Sequence, residues 1–161
     1  MPQHPPIKRN PAIVQFSREH HYGLLLVWKI RQGLRLAVAP ERIGKYVTYA
    51  FGIELEPHFQ AEEQLLFSRL PAENDLRVQA QEEHRLLRGQ VLQLSEQPDD
   101  ESLLRVFAQT LENHIRFEER TLFNYLQEQL PAEVLSAVEA AHPPLDGEAC
   151  ELWGDRFWEK N

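Results

Sequence analysis

The sequence predicts an all-α fold: an antiparallel up-down-up-down four-helix bundle, followed by a short fifth helix and an aromatic C-terminal tail. Glycine is scarce, with 7 among 161 residues, and the 11 prolines cluster at the boundaries of long segments. Within these segments, apolar residues recur with a helical period rather than alternating as they do in a strand. The connections are only a few residues long, so consecutive helices must run antiparallel.

Prolines and capping residues divide the chain into these helices. Ser17, or a residue just before it, can cap the first helix, and Asp99 or Asp100 can cap the fourth. Pro57 lies inside the second helix, where it removes one backbone hydrogen bond and is expected to kink the helix near Ile53. The five helices are expected to end near residues 38, 69, 95, 129 and 141.

The length is that of one domain with its own apolar core. We expect residues 1–11 to form a flexible N-terminal arm, residues 12–141 the bundle, and residues 142–161 a tail. The tail contains Leu152, Trp153, Phe157 and Trp158, which are too apolar for a free segment. It is expected either to pack back on the bundle or to join subunits of a homo-oligomer.

Charge and cysteine content exclude several classes of protein. Acidic residues outnumber basic ones by 25 to 17, and the net charge of −8 repels phosphate backbones and acidic lipid surfaces, so neither nucleic acid nor membrane is an expected partner. The longest apolar run, 24–28, is far shorter than the ~20 residues of a membrane span. Because Cys150 is the single cysteine, disulfides and sulfur-rich metal sites are excluded. The chain is expected to be cytoplasmic.

An internal repeat is the strongest signal in the sequence. Residues 56–67, EPHFQAEEQLLF, align with residues 112–123, ENHIRFEERTLF. The alignment pairs two His-x-x-x-Glu elements: His58 and Glu62 in the second helix, His114 and Glu118 in the fourth. His142 also has an acid four positions on, but prolines follow it directly, so it cannot lie on a helix and is expected to be exposed.

Both elements lie on the apolar stripes of their helices, because residues four apart share one helix face. A carboxylate buried without a partner costs several kcal/mol, so it must be protonated, paired with a buried base or bound to metal. No lysine or arginine shares these stripes. Two facing carboxylates surrounded by imidazoles suit divalent iron, manganese or zinc, as in carboxylate-bridged dimetal bundles.

The first and third helices are expected to supply further ligands. The pair at 83–84 repeats the Glu-His pair at 19–20, and this register favours His20 over His21 as the inward residue. The predicted set has one histidine from each helix and one glutamate from each of helices two and four: His20, His58, Glu62, His84, His114 and Glu118. Six protein ligands suit two metals and leave exchangeable positions for water, hydroxide or a diatomic molecule.

Three further residues near these positions have other expected roles. Glu63 and Glu119 are expected to be exposed partners of Arg69 and Arg116, respectively. Tyr125 lies on the stripe of the fourth helix and is expected to be a core residue with its hydroxyl at the end of the bundle.

Over about 16–129, the sequence resembles the hemerythrin and HHE cation-binding family, a four-helix bundle holding a non-haem di-iron centre. The two His-x-x-x-Glu elements and the two single histidines match in order and rough spacing. The resemblance implies that Glu62 and Glu118 bridge two iron ions, with the histidines as outer ligands.

Oxygen-carrying members have a second histidine one turn from that of the third helix, where this chain has Ala80 and Arg88. Their second bridging acid also follows its histidine after a longer spacing. The pattern therefore resembles the HHE-type proteins linked to sensing iron, oxygen, nitric oxide or peroxide.

Three classes of function follow. The first is a dimetal protein that binds or senses dioxygen, nitric oxide or peroxide, or that serves iron homeostasis. The second is a di-iron enzyme of the peroxidase or oxidase type, and the third is a metal-free helical interaction module that uses the aromatic tail. We favour the first, because the sequence identifies no substrate pocket and no additional acid–base group.

Overall fold

A computed structural model describes residues 8–142 and 152–160 of the chain. All regular structure within these ranges is helical, and no strand occurs among them, so the all-α prediction is confirmed. None of the described helices has a long enough apolar stretch to cross a bilayer.

The described chain forms five helical segments, of which the second and fourth contain irregular turns. Helix α1 covers Pro11–Arg35, α3 covers Asp75–Glu96, and α5 covers Ala132–Ala141. Helix α2 spans 40–69 and consists of Pro40–Ala50, a π-helical turn at Phe51–Leu55, Glu56–Ala61, a second π-helical turn at Glu62–Leu66 and a 3₁₀ turn at Phe67–Arg69. Helix α4 spans 101–129 and consists of Glu101–Phe117, a π-helical turn at Glu118–Leu122 and Phe123–Gln129.

The predicted start of α1 at Ser17 is wrong. Asn10 caps the helix by accepting a hydrogen bond from the Ala12 amide, and Pro11 occupies the first helical position, where its missing N–H costs nothing. The helix also ends at Arg35, before the expected residue 38, because Ala37 adopts a left-handed conformation with φ of 57°. Of the expected N-terminal arm, residues 1–7 lie outside the described ranges.

The other helix boundaries agree more closely with their sequence signals. Asp100 caps α4 through the Leu103 amide, as predicted. Pro57 disturbs α2 around Ile53, also as predicted, but the disturbance is the π-helical turn at Phe51–Leu55. The wider turn accommodates the carbonyl that Pro57 can neither bond nor approach closely.

Two clusters of buried apolar residues fill the interior. The first includes Ile30, Phe51, Phe59 and Phe107, and the second lies beneath α5. The second cluster consists of Ala12, Ile13, Phe16, Leu66, Phe67, Leu70, Ala80, Leu122, Phe123, Leu126, Leu130, Leu135 and Val138. A band of buried histidines and glutamates contacts aromatic rings of both clusters and so lies between them.

The described part of the tail packs on the bundle. Phe157 and Trp158 are buried in the first cluster, where both rings contact Tyr46. The Lys29 ammonium lies 4.0 Å from the centre of the Trp158 ring, at a distance that gives a cation–π interaction. Leu152 points outward and is 81% exposed. Cys150 lies outside the described residues.

Candidate metal centre

The structure brings the six predicted ligands together in the buried polar band. Helices α1 to α4 each contribute one histidine, and α2 and α4 each add a glutamate. These donors form two quartets that share both glutamates, with the ligand atoms of each quartet within 4.8 Å of one another. The first quartet contains His20, His58, Glu62 and Glu118, and the second contains Glu62, His84, His114 and Glu118. His20 is buried, whereas His21 is exposed.

Each shared glutamate lies between imidazoles from two helices. The Oε1 atom of Glu62 is 3.2 Å from the Nε2 atoms of both His58 and His84. The Oε1 atom of Glu118 is 3.0 Å from Nε2 of His20 and 3.1 Å from Nε2 of His114. All four histidines therefore direct Nε2 toward the same pair of carboxylates.

Several of these donor atoms are buried and have no hydrogen bond of normal geometry. They are Nε2 of His58, His84 and His114, both carboxylate oxygens of Glu62, and Oε2 of Glu118. Buried polar atoms in folded proteins are almost always satisfied, so such a concentration requires a reason. Imidazole nitrogens and carboxylate oxygens that converge in two such quartets fit divalent transition-metal ions.

The backbone is irregular where the shared glutamates lie. The π-helical turns Glu62–Leu66 and Glu118–Leu122 begin at Glu62 and Glu118, respectively. The internal repeat in the sequence is therefore also a repeat of backbone conformation. Single π-helical turns occur frequently at functional sites, but nothing in the residue pattern distinguished them here from α-helix.

Four outer carboxylates bind the other ring nitrogens. Each histidine places Nδ1 at 2.6–2.7 Å from a glutamate of a neighbouring helix. The pairs run in a closed circle around the bundle: Glu19 of α1 binds His58 of α2, Glu63 of α2 binds His84 of α3, Glu83 of α3 binds His114 of α4, and Glu119 of α4 binds His20 of α1. Such partners fix the ring orientation and raise the basicity of a metal-binding imidazole.

The expected partners of Glu63 and Glu119 are therefore wrong. Glu63 binds His84 and Arg88. Glu119 binds His20 and also accepts hydrogen bonds from Ser17 and Arg9. The sequence alignment placed both residues beside the ligands but could not show that the imidazole of the next helix approaches them, since that contact depends on how the helices pack.

The arrangement has strong electrostatic effects. Burial and the nearby charge of Glu118 raise the pKa of Glu62. Burial also acts to raise the pKa of Glu118, but the charge and hydrogen bonds of His114 and the hydrogen bond of His20 hold it well below its usual range. Burial opposes the charged form of His114, yet Glu118 and Glu83 raise the pKa of this imidazole to about 10. The negative charges of Glu62 and Glu118 thus destabilise each other, and two divalent cations between them would compensate both charges.

Two of the outer carboxylates, Glu19 and Glu119, have pKa values well below that of a free glutamate. Burial alone would raise the pKa of Glu19, but the close approach of the His142 imidazole and the hydrogen bonds of His58 and Gln15 lower it to about 2. Burial likewise opposes the ionised form of Glu119, and the hydrogen bonds of His20 and Ser17 lower its pKa to about 2. An ionised carboxylate at Nδ1 favours the tautomer that leaves Nε2 free for a metal.

Residues beside His84 supply no further ligand. Arg88 binds Glu56 and Glu63 through ion pairs of 2.9 and 2.8 Å, and Ala80 is buried in the second apolar cluster. Tyr125 packs against that cluster and accepts a hydrogen bond from the Asn74 side chain, which caps α3. Its hydroxyl therefore lies at the start of a helix rather than at the ligands.

His142 is buried, so the expectation that it is exposed is wrong. Its ring stacks on Phe16 with 4.0 Å between the ring centres, and its Nε2 lies 2.9 Å from Oε2 of Glu19. The two prolines after it correctly predicted the end of α5, but they carried no information about how that end packs against α1.

The comparison with protein families identifies one match. The family described as hemerythrin HHE cation binding domain matches residues 12–126, which include all six central residues and the four outer carboxylates. Neither a curated protein nor a solved structure matches the chain.

Proposed function

The chain belongs to the hemerythrin HHE cation-binding domain family, and on that premise we propose that it binds two iron ions and uses them to bind or sense dioxygen, nitric oxide or peroxide, or in iron homeostasis. The observation that carries the proposal is the pair of buried donor quartets that share two glutamates. The proposed ligands are His20, His58, Glu62, His84, His114 and Glu118.

The residues have distinct proposed roles. Because Glu62 and Glu118 belong to both quartets, they would bridge the ions, while the four histidines would bind through Nε2. The outer carboxylates hold the imidazoles in that orientation. Bound iron would supply redox chemistry and open positions for a small ligand, because six protein ligands do not fill two octahedral spheres. Manganese or zinc would also suit these donors.

The connections between helices support the antiparallel order within this proposal. Residues 36–39, 70–74 and 97–100 join α1 to α4 in sequence. Connections of this length join neighbouring helices that run in opposite directions, so we infer an up-down-up-down bundle. The clustering of the four inward histidines in the two quartets supports this order.

Metal analysis tests the proposal directly. After anaerobic loading with ferrous iron and removal of excess metal, about two iron atoms per chain are expected. Circular dichroism of the same sample establishes whether the helices are intact. A reproducible iron content near zero in folded protein would contradict the dimetal proposal and favour the metal-free interaction module.

Exposure to gases tests whether the centre has open positions. Adding dioxygen to the ferrous protein is expected to produce a ligand-to-metal charge-transfer absorption, and nitric oxide is expected to compete with it. An unchanged spectrum with both gases would indicate a structural or storage role. The buried donors suit a diatomic ligand better than an organic substrate. Rapid turnover of peroxide would instead favour the enzyme alternative.

The adjacent histidines of α1 provide a matched pair of variants. Neighbouring helical residues point about 100° apart, so His20 and His21 cannot both face the centre. His20→Ala is expected to weaken iron binding by at least ~10-fold, the scale of even an outer-shell defect, whereas His21→Ala should leave it nearly unchanged. Calorimetric titration measures both. The reverse ranking would mean that the ligand of α1 has been assigned one residue too early.

A further inference from the structure

Glu19 differs from the other three outer carboxylates in its burial. Its side chain is 1% exposed, whereas those of Glu83, Glu63 and Glu119 are 25%, 28% and 29% exposed. Water can therefore solvate three of these carboxylates in part but not Glu19. A buried carboxylate needs protein donors in place of water.

Part of this need is met by a contact that α1 and α3 have in common. The Gln15 amide donates to Oε2 of Glu19, and the Gln79 amide donates to Oε2 of Glu83, in both cases from four residues earlier on the same helix. The similarity between the surroundings of Glu19 and Glu83 ends with this glutamine. Glu19 has an additional partner in His142, which comes from outside the four ligand-bearing helices.

His142, Glu19 and His58 form a continuous chain of polar contacts. The Nε2 atom of His142 is 2.9 Å from Oε2 of Glu19, and Oε1 of Glu19 is 2.7 Å from Nδ1 of His58. The His142 ring is held by stacking on Phe16. One carboxylate thus joins an imidazole at the end of α5 to an imidazole of the first donor quartet.

A surface cavity of about 270 Å³ lies on the outer side of this chain of contacts. Its lining includes Gln15 and His142, the two residues that contact Oε2 of Glu19, together with Arg18 and Glu139. His142 thus lines the cavity, whereas the buried Glu19 does not. Removing its ring would open Glu19 to the cavity.

We propose that His142 is a positioning residue for the dimetal centre: by holding Glu19, it orients the His58 imidazole toward the ion of the first quartet, a role that rests on the function proposed above. Helix α5 then belongs to the metal site although it supplies no ligand. The effect is confined to one of the two ions, because His58 belongs only to the first quartet. Loss of a residue that directly contacts a metal-binding histidine typically weakens metal binding 10–100-fold. His142 acts one contact further out, through Glu19, so we expect a loss at the lower end of that range.

Two substitutions at this position separate the polar contact with Glu19 from the packing of the ring on Phe16. His142→Phe keeps a ring that can stack on Phe16 but removes the nitrogen that faces Glu19, whereas His142→Gln restores a donor without the ring. His21→Phe makes the same change at an exposed histidine and serves as the control. Thermal unfolding of the metal-free variants establishes that each is folded.

Anaerobic calorimetric titration with ferrous iron provides the main readout. In His142→Phe, one of the two binding steps is expected to weaken by about 10-fold while the other stays at the wild-type value. His142→Gln should recover most of the loss, and His21→Phe should match wild type. A second readout needs no metal: the Nδ1 proton of His58 should exchange with water faster in His142→Phe than in wild type, as measured by nuclear magnetic resonance.

The outcomes separate this role from the proposed function. Two ions in the wild type and two unchanged steps in His142→Phe would overturn the role of His142 alone. Equal weakening of both steps in His142→Phe and His142→Gln would also overturn it, because that result indicates a general packing defect. A folded wild type that binds no iron would overturn both proposals.

Discussion

Glu62→Ala should abolish the loading of both iron ions together, and Glu118→Ala should do the same. Each glutamate belongs to both donor quartets, so in the proposed centre its removal would take a ligand from both ions at once. The measurement is the iron content of purified protein after ferrous loading, where wild type should retain about two atoms per chain. Glu128→Ala, at an exposed glutamate of α4, should load like wild type.

A variant with a side chain of equal size, Glu62→Gln, distinguishes the loss of a metal ligand from a failure to fold. Glu62→Gln keeps the volume of the side chain and removes its negative charge, so the apolar packing around it should survive. It should also lose both ions, because a neutral amide is a poor bridge between two cations. Loss of one ion and retention of the other would mean that Glu62 is a terminal ligand of a single metal.

Among the glycines that the structure describes, Gly44 is expected to tolerate replacement by alanine least. Gly44 lies in α2, and an added Cβ would be 2.1 Å from the carbonyl oxygen and 2.7 Å from the Cα atom of Pro98. These are backbone atoms of the connection between α3 and α4, which cannot rotate away as a side chain can. The free energy of unfolding should fall by about 3 kcal/mol, as judged by chemical denaturation.

A second glycine provides the control for this prediction. Gly89 lies within α3, and a Cβ there would meet no atom within 4 Å. Because glycine costs a helix interior up to about 1 kcal/mol relative to alanine, Gly89→Ala should stabilise the protein by that order. If Gly44→Ala unfolded at the same denaturant concentration as wild type, the close approach of α2 to Pro98 would be wrong.

Local physical rules account for the parts of this protein that its sequence predicted. A capping side chain such as Asp100 and a helix-interrupting residue such as Pro57 act within one or two turns, so their effects can be placed without knowledge of the fold. The repeat of His58 and Glu62 at His114 and Glu118 could be interpreted in the same way. Its four-residue spacing places each pair on one helix face, and the apolar stripe shows that this face turns inward.

Contacts between helices decided the rest. The sequence placed Glu63 and Glu119 beside the ligands, but only the packing of α2 against α3 and of α4 against α1 brings them to Nδ1 of the next imidazole. His142 is separated from Glu19 by more than a hundred residues, and no periodic pattern connects them. A helical period specifies which face of a helix is buried, whereas the identity of the facing partner depends on the relative height and rotation of two helices, which only the tertiary structure determines.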